Sequence, residues 1–477
     1  MRNQDHAPLL AALQGYRRED ALRLHMPGHK GRSLAALPLP EHDVTEVPGL
    51  DDLHDATGAI AEAQALCADL YGADDTHFLV GGSTAGVVAL FLATAGEGER
   101  VLIPRHAHRS LLTGLVLSGA RPVWLEPLYD PVTDLVLGVP ASHYEAALRR
   151  FGSAAAFWAV NPTYQGVAQD LRPVAALAAD QGAPLLVDEA HGAHFPFDSR
   201  LPRPALHQGA AAVVQSAHKT LEALTQAAWL HVRGPAVDRD RLQAALRLTQ
   251  TSSPSYMLMA SLDAARQTMA GTGRDRLRAL IDAAEWLRRR LAESSLRPVS
   301  PPSRPELVCR QDPTKLWLDV TRLGVTGAEA DGLLRRELGL QVEMAGPRHV
   351  LALFTLADDR RVLEEVARRL ADLAPSSGAV GNAAGSLWLQ RQAEVWPEPE
   401  LTPREAAFRP HRLVSRQEAV GRIAAAGLVP YPPGIPLVMP GERLTAETLD
   451  FVQTARAAGV RFQGAAEPTL QQILVVS

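Results

Sequence analysis

The sequence predicts an α/β fold built around a largely parallel, seven-stranded sheet. Between about residue 58 and residue 235, short apolar runs alternate with segments of helical spacing. This alternation is typical of βαβ units, in which each helix crosses over a parallel sheet. The 477 residues, of which 46% are hydrophobic and 21% charged, are too many for one ordinary core and indicate a globular protein of two or three domains.

Seven apolar runs are the predicted strands of this sheet. They are Thr76–Val80, Arg100–Ile103, Pro122–Leu125, Ala154–Val160, Pro184–Val187, Ala211–Gln215 and Ala227–Val232. The segments between them, such as Ala85–Ala95 and Pro173–Gln181, have the composition or the spacing of helices. A Rossmann dehydrogenase would show the same alternation, so the fold class does not by itself define a function.

The rest of the chain predicts smaller units around this large domain. Residues 1–50, rich in His, Pro and Gly, are expected to form an N-terminal arm, and residues 51–270 the large domain. A small α+β domain is predicted over residues 271–375 from four patterned segments, which are Arg274–Glu293, Leu307–Val320, Ala328–Leu338 and Val350–Ala357. Gly and Ser residues in Ala374–Ser386 indicate a linker to a C-terminal domain over residues 376–477.

Charge and composition exclude several classes of function. The net charge of −5 gives no basic surface for nucleic acid or anionic lipid, and 5% aromatic residues offer little stacking surface. The only two cysteines, Cys67 and Cys309, provide neither a disulfide framework nor a thiolate metal site. Neither a signal peptide nor an 18-residue apolar span is found, so we expect a soluble cytoplasmic protein without nucleic-acid or membrane partners.

An acid and a lysine follow two of the predicted strands. Asp188 comes directly after Pro184–Val187, and Lys219 follows Ala211–Gln215. A pyridoxal phosphate (PLP) enzyme needs this pair, because the lysine forms a Schiff base with the cofactor and the acid keeps the pyridine nitrogen protonated. Alternatives remain, since a lone lysine there is usually a solvated loop residue, and His191 and His194 make a metal site conceivable.

Three further strand ends carry suitable residues. Ser83 and Thr84 lie in a glycine-rich turn that opens a helix, where backbone N–H groups attract a phosphate. The turn has neither a Walker lysine nor Gly-x-Gly-x-x-Gly spacing, so it suits a monophosphate rather than a nucleotide, although a plain capped turn would look the same. His108 could lie flat against a planar cofactor, and Thr163 follows the fourth strand. Carboxyl ends of parallel strands converge on one crevice, so the five segments together predict one site.

Motifs across nearly the whole chain resemble those of the Orn/Lys/Arg decarboxylase family. They are His25-Met26-Pro27-Gly28-His29-Lys30-Gly31, Leu50-Asp51-Asp52-Leu53, Ser216-Ala217-His218-Lys219, Tyr431-Pro432-Pro433-Gly434-Ile435-Pro436 and Met439-Pro440-Gly441-Glu442. The resemblance implies the aspartate aminotransferase-like fold of fold type I PLP enzymes, with smaller α+β domains after the large one. It also implies pyridoxal 5'-phosphate as the cofactor.

The resemblance assigns roles to individual residues. Lys219 would bind the cofactor covalently, Asp188 would pair with the pyridine nitrogen, and His218 would join them in catalysis. The remaining implied cofactor contacts are Ser83, Thr84 and Ser216 at the phosphate, His108 on the ring face, and Ala85, Thr163 and His191 beside them. His106 and Arg109 depart from the asparagine and lysine that are usual in the family, which puts only the fine geometry in doubt.

Four residues are predicted to contact the substrate, namely Asp52, Ser253, Tyr256 and Glu442. The segment Thr251–Tyr256 resembles one that reaches an active site at a subunit interface. Because the family motif already begins at His25, the chain resembles the short bacterial members linked to polyamine synthesis. We therefore expect a homodimer or a dimer of dimers.

The implied reaction is α-decarboxylation of a basic L-amino acid. Arginine, giving agmatine and carbon dioxide, is the first choice, and lysine or ornithine, giving cadaverine or putrescine, is the alternative. Two more remote hypotheses are another PLP reaction, such as transamination or aldol cleavage, and a non-catalytic regulator with the same fold.

Overall fold

The structure is a computed structural model that describes residues 22–24, 51–304, 306–307, 310–371, 373, 396, 398–431, 435–457 and 460–477. Most of the predicted N-terminal arm, with the motif at His25, lies outside the described residues. So do Cys309, the expected linker Ala374–Ser386 and residues 432–434 of the C-terminal motif.

The described residues form fourteen α-helices and twenty-one strands, numbered here in chain order. The helices are α1 (Ala59–Tyr71), α2 (Gly82–Thr94), α3 (Arg109–Ser118), α4 (Ala141–Phe151), α5 (Arg172–Asp180), α6 (Ala217–Thr220), α7 (Arg239–Thr249), α8 (Tyr256–Ala270), α9 (Gly273–Leu291), α10 (Gly327–Leu338), α11 (Arg360–Leu370), α12 (Pro403–Phe408), α13 (Arg416–Ala419) and α14 (Ala446–Ala457). The strands are β1 (Leu22–Leu24), β2 (Asp75–Leu79), β3 (Arg100–Pro104), β4 (Arg121–Leu125), β5 (Leu128–Asp130), β6 (Leu135–Gly138), β7 (Ala156–Val160), β8 (Val167–Ala168), β9 (Leu185–Asp188), β10 (Ala212–Gln215), β11 (Ala228–Val232), β12 (Arg297–Val299), β13 (Arg310–Gln311), β14 (Lys315–Asp319), β15 (Leu340–Val342), β16 (Met344–Ala345), β17 (His349–Leu353), β18 (His411–Ser415), β19 (Val429–Tyr431), β20 (Arg461–Gln463) and β21 (Gln472–Val476).

A seven-stranded sheet in the order β2-β11-β10-β9-β7-β3-β4 is the centre of the large domain. All seven predicted strands are confirmed. The neighbouring pairs from β10 to β4 are parallel, and β11 runs antiparallel to both β10 and β2. The predicted α/β class with a largely parallel sheet is therefore confirmed.

Both faces of this sheet are buried, which is why its strands read as continuous apolar runs. On β7, Trp158 packs into one cluster with the helices α2, α3 and α7, whereas Phe157 packs into the cluster of α4 and α5 on the opposite face. Gly114 of α3 allows a close approach of α3 to α2, because a Cβ atom there would lie 2.2 Å from the Phe91 ring. The helices that carry the site are thus held tightly against the sheet.

The small domain is built on a four-stranded antiparallel sheet in the order β12-β14-β17-β16. Helices α9 and α11 pack against each other beside it, and β1 pairs with β15 in parallel. One hydrophobic cluster runs from Tyr71 and Trp229 of the large domain to Leu316 and Leu370 of the small one. This shared core fixes β14 against the large domain.

The C-terminal region has its own core beneath the antiparallel pairs β18–β21 and β19–β20. Leu428, Leu444, Val452 and Val475 are buried in it. Cys67 of α1 is buried and forms no disulfide with any of the residues that the structure describes. None of the helices in the described ranges is long and apolar enough to cross a membrane.

Candidate active site

The carboxyl ends of five strands, β2, β3, β7, β9 and β10, lie on one edge of the large sheet, because these five strands run in the same direction. Backbone hydrogen bonds connect the loops that follow β7, β9 and β10. Asn161 N donates to Asp188 O at 3.1 Å, Glu189 N to Val214 O at 3.0 Å, and Ser216 N to Ala190 O at 3.3 Å. The convergence expected from the sequence is therefore observed for these segments.

Lys219 and Asp188 lie at the centre of this edge. Lys219 sits in the single-turn helix α6, and its Nζ is 3.2 Å from Nε2 of His191. Asp188 ends β9, is buried, and accepts a hydrogen bond from Ala190 N at 3.1 Å. Burial lowers the pKa of Lys219, against the opposing effect of the Asp188 and Glu343 charges. The site thus favours the free-amine form of Lys219 more than water does.

Two histidines beside Lys219 are held neutral. Burial lowers the pKa of His191 well below its ordinary value, and the positive charges of Lys219 and Lys315 add to this effect. Burial also lowers the pKa of His108, with Lys219 acting in the same direction and Asp188 in the opposite one. The Nδ1 of His108 accepts from Ser110 N at 3.2 Å, which caps α3 and fixes the ring. A neutral, fixed imidazole is suited to stacking on a planar cofactor.

His218 and Thr163 have structural partners at the same edge. The ring of His218 donates from Nδ1 to the Ala227 carbonyl at 3.0 Å. Thr163 is buried in the turn after β7, where its backbone N–H and its Oγ1 bond to Val167 at 2.8 and 3.2 Å. Both residues shape the loops around Lys219.

The residues of the predicted phosphate turn fit an anion. Helix α2 begins at Gly82, so Ser83, Thr84 and the buried Ala85 lie in its first turn, and its N-cap residue Gly81 forms no side-chain cap. The free N–H groups of that turn carry partial positive charge. The Ser216 hydroxyl is fully buried and has no hydrogen-bond partner among the described residues. A buried hydroxyl without a partner is costly, which indicates that a bound group completes the site.

Three of the predicted substrate residues lie in two segments that contact each other. The Tyr256 hydroxyl donates to the carbonyl of Asp51, and His54 Nε2 is 2.8 Å from the Thr251 carbonyl. Asp52 and Ser253 are both exposed in these segments. The buried acid here is Asp51, which caps the start of α1 through hydrogen bonds from the backbone N–H groups of residues 57, 58, 60 and 61.

The fourth predicted substrate residue, Glu442, is engaged elsewhere. Its two oxygens accept from the guanidinium of the fully buried Arg105 at 2.5 and 2.7 Å, and Oε2 also accepts from Met439 N at 2.9 Å. Arg105 further donates to the carbonyls of Pro436 and Leu437 at 3.0 Å each. Glu442 therefore ties the C-terminal region to the end of β3, and we do not assign it to the substrate.

Three residues near Lys219, namely Lys315, Asp312 and Glu343, were not predicted from the sequence, whereas Tyr164 lies beside Thr163 in a turn that was expected at the site. Tyr164 lies with its ring edge-on to His191, the ring centres 4.8 Å apart, and its hydroxyl donates to Glu343. Lys315 is buried and donates from Nζ to the Tyr164 carbonyl at 2.8 Å, and Asp312 is fully buried nearby. The run Asp312-Pro313-Thr314-Lys315 is the signal that could have identified two of them, because an acid and a lysine at the start of an apolar run are seldom buried unless they are paired.

No group of three or more His, Cys, Asp or Glu side chains among the described residues is arranged to hold a metal ion. His194, a candidate metal ligand in the sequence, instead contacts Asp312, with 3.0 Å between its Nε2 and Oδ2.

Comparison with known proteins identifies the family. The family model described as "Orn/Lys/Arg decarboxylase, major domain" matches residues 7–310, and the model of that family's C-terminal domain matches residues 388–470. The fold and these family matches together define a decarboxylase with the aspartate aminotransferase-like fold of PLP enzymes. The chain belongs to the Orn/Lys/Arg decarboxylase family.

Relatives cover the chain end to end. It is 32% identical to "Arginine decarboxylase" of Halalkalibacterium halodurans, with 100% of this chain and 99% of that protein aligned. It is 33% identical to "Arginine decarboxylase" of Bacillus subtilis, with 99% and 98% aligned. Among solved structures, "Lysine decarboxylase A from Pseudomonas aeruginosa" is similar with a TM-score of 0.77 and 24% identity, over 99% of this chain and 76% of that one. The structural likeness confirms the fold.

Proposed function

We propose that this protein uses pyridoxal 5'-phosphate to remove the α-carboxylate of a basic L-amino acid, with arginine as the preferred substrate. The observation that carries the proposal is the meeting of Lys219, Asp188 and neutral His108 at one sheet edge. A buried, unpartnered Ser216 hydroxyl lies in the same loop as Lys219. Two relatives of full length that are named arginine decarboxylases support the choice of substrate.

The residues of the site match the parts of this cofactor. Lys219 would bind its aldehyde carbon, Asp188 its pyridine nitrogen, and His108 the face of its ring. Ser83, Thr84 and Ser216, with the first turn of α2, would hold its phosphate. When bound, pyridoxal phosphate supplies a carbonyl carbon for the substrate amine and an electron-withdrawing ring for the electrons released with carbon dioxide.

The protein's own contribution is to place charges and protons around that ring. The buried Asp188 carboxylate would hold a proton on the pyridine nitrogen, because an adjacent anion favours the protonated form. Lys219 is our assignment for the group that returns a proton to Cα, since burial lowers the pKa of its amine and so eases proton exchange. His218, which follows the same strand, is the alternative donor.

The test of the cofactor assignment is the variant Lys219→Ala. We expect it to lose both the visible absorbance of lysine-bound cofactor and the release of carbon dioxide from arginine, because no other amine would occupy that position. Absorbance spectra and carbon dioxide measurements on the purified variant and the unchanged protein give the result. A yellow, active Lys219→Ala protein would contradict the assignment.

Substrate choice between arginine, lysine and ornithine follows from the amine formed after separate incubation with each. A second candidate reaction, transamination, would transfer the amino group without releasing carbon dioxide, and a regulator would give no turnover at all.

We further propose that the protein acts in the cytoplasm, in polyamine synthesis, as a homodimer or a dimer of dimers. The division into domains 51–270, 271–375 and 376–477 is part of the same proposal.

A further inference from the structure

Lysine is exceptionally rare in this chain. Of its 48 basic residues, 45 are arginine and three are lysine, namely Lys30, Lys219 and Lys315. A guanidinium stays charged at all physiological pH values, whereas a buried ammonium can lose its proton. A chain that uses arginine almost everywhere has kept lysine at two positions of one site. This indicates that both positions need an amine that titrates.

Lys315 is buried and packs closely against the turn that carries Tyr164. The residue begins β14, its exposed fraction is 1%, and its Nζ donates to the Tyr164 carbonyl at 2.8 Å. The turn after β7 is shaped around its side chain. Gly166 has φ of 89°, and a Cβ there would lie 2.8 Å from Cδ of Lys315. Only glycine suits such a turn, so the loop and the lysine fit each other closely.

A short series of contacts joins Lys315 to Lys219. Lys315 holds the Tyr164 backbone, the Tyr164 ring lies edge-on to His191 with ring centres 4.8 Å apart, and His191 Nε2 is 3.2 Å from Lys219 Nζ. Among these groups His191 does not hold a proton at neutral pH, because burial and the two lysine charges lower its pKa.

The other charged groups around Lys315 come from three elements. Asp312, in the turn before β14, is buried and accepts from His194 Nε2 at 3.0 Å and from Thr314 Oγ1 at 2.7 Å. Glu343, between β15 and β16, accepts from the Tyr164 hydroxyl. Arg288 of α9 donates to the Lys315 carbonyl at 3.0 Å. Both acids favour a charged Lys315, whereas burial and Lys219 disfavour it, and burial is the largest effect. It lowers the pKa of Lys315 to about 7.

We propose that Lys315 and Lys219, joined through Tyr164 and His191, form a coupled amine pair in which a proton on one disfavours a proton on the other, with Lys315 as the positioning residue. Lys315 holds the Tyr164 turn beside His191, and its charge opposes a second positive charge on Lys219. When Lys219 reacts as a free amine, the pair holds its proton on Lys315. Two interacting groups lose their protons in two separate steps, so the first proton leaves at a pH well below that of an isolated lysine. This inference rests on the proposed role of Lys219.

The test replaces Lys315 so that charge and hydrogen bonding are separated. Lys315→Arg keeps a permanent charge, Lys315→Gln keeps a donor without a charge, and Lys315→Met keeps neither. The pH midpoint for acetylation of Lys219 by acetic anhydride is measured by peptide mass spectrometry on the full chain after removal of cofactor. The pH midpoint of the visible absorbance is measured on the protein with cofactor bound. Arg335→Met, which removes an exposed charge on α10, is the control.

We expect the charged and the uncharged variants of Lys315 to shift the pH midpoint of Lys219 in opposite directions. The pH midpoint for acetylation of Lys219 rises by about one pH unit in the Gln and Met variants, because the positive charge at position 315 that repels a proton on Lys219 is gone. It falls in the Arg variant, because the charge at position 315 is then permanent. The control leaves it unchanged. Shifts of the same sign in the Arg and Gln variants, or none, overturn the proposal. If the Arg variant does not fold, an unchanged midpoint in the Gln variant is enough to overturn it. Failure of the proposed function can be distinguished from failure of the amine pair, because the acetylation profile requires neither bound cofactor nor turnover.

Discussion

The Ser216 hydroxyl is buried and has no hydrogen-bond partner among the described residues, which indicates a bound ligand more directly than the surrounding sequence does. The residue type was predicted from the Ser-Ala-His-Lys motif, but its burial and missing hydrogen bond depend on how β10 and α6 meet. Residues fixed by one strand end, such as Asp188 and Lys219, could be predicted from the sequence. Residues brought in from another domain, such as Lys315 and Glu343, could not, because their proximity depends on how the small domain packs.

Removing the Ser216 hydroxyl should weaken the cofactor more than the fold. We expect Ser216→Ala to raise the dissociation constant for pyridoxal phosphate by roughly ten- to a hundredfold, since a hydrogen bond to a charged group contributes about 1.5–3 kcal/mol. Equilibrium titration followed by absorbance measures this change. Ser261→Ala is the control, because Ser261 is equally buried but bonds to Leu258 and Leu224 of the protein. Equal affinity in Ser216→Ala and the unchanged protein would remove Ser216 from the phosphate site.

Helix α1 shows how an element depends on one acid that the sequence did not single out. Asp52 was predicted as a substrate residue, but the neighbouring Asp51 is the buried one, and it accepts four backbone hydrogen bonds at the helix start. Burial alone would raise the pKa of Asp51, but these N–H groups outweigh it and lower the pKa. The strands of the large sheet were predictable from apolar runs, whereas the choice between two adjacent acids required the three-dimensional turn.

Loss of that cap should destabilise the protein, while loss of its neighbour should not. We expect Asp51→Ala to reduce the free energy of unfolding by about 1–2 kcal/mol, and Asp52→Ala to change it by less than about 0.5 kcal/mol. Urea unfolding followed by circular dichroism gives both values. Equal effects of the two substitutions would show that the cap is not what stabilises α1.

Across the whole molecule, buried histidines make stability depend on pH. Burial lowers the pKa of His77 and of His106 to about 4, and that of His231 to about 3. Each remains neutral when folded and takes up a proton near pH 6.5 when unfolded. Their contribution to stability is therefore fully present above pH 6.5 and is lost as the pH falls toward the folded pKa. The composition gave the number of histidines, but only the packed structure shows which of them are buried.

His106 allows this effect to be measured at one residue, because neither of its ring nitrogens has a hydrogen-bond partner among the described residues. Between pH 7 and pH 5 such a histidine costs the folded state about 2 kcal/mol. We expect His106→Asn to reduce the pH dependence of the unfolding free energy by that amount. The control is His411→Asn, at an exposed position of β18. An unaltered pH dependence in His106→Asn would contradict the assignment.

The most direct test of the central claim is the product formed from each basic amino acid. The purified protein, loaded with pyridoxal phosphate, is incubated separately with arginine, lysine and ornithine, and both carbon dioxide and the organic product are quantified. We expect one carbon dioxide per agmatine from arginine, at a higher rate than from the other two amino acids, and no 2-oxo acid. Absence of carbon dioxide from all three, or formation of a 2-oxo acid in its place, would contradict the proposed function.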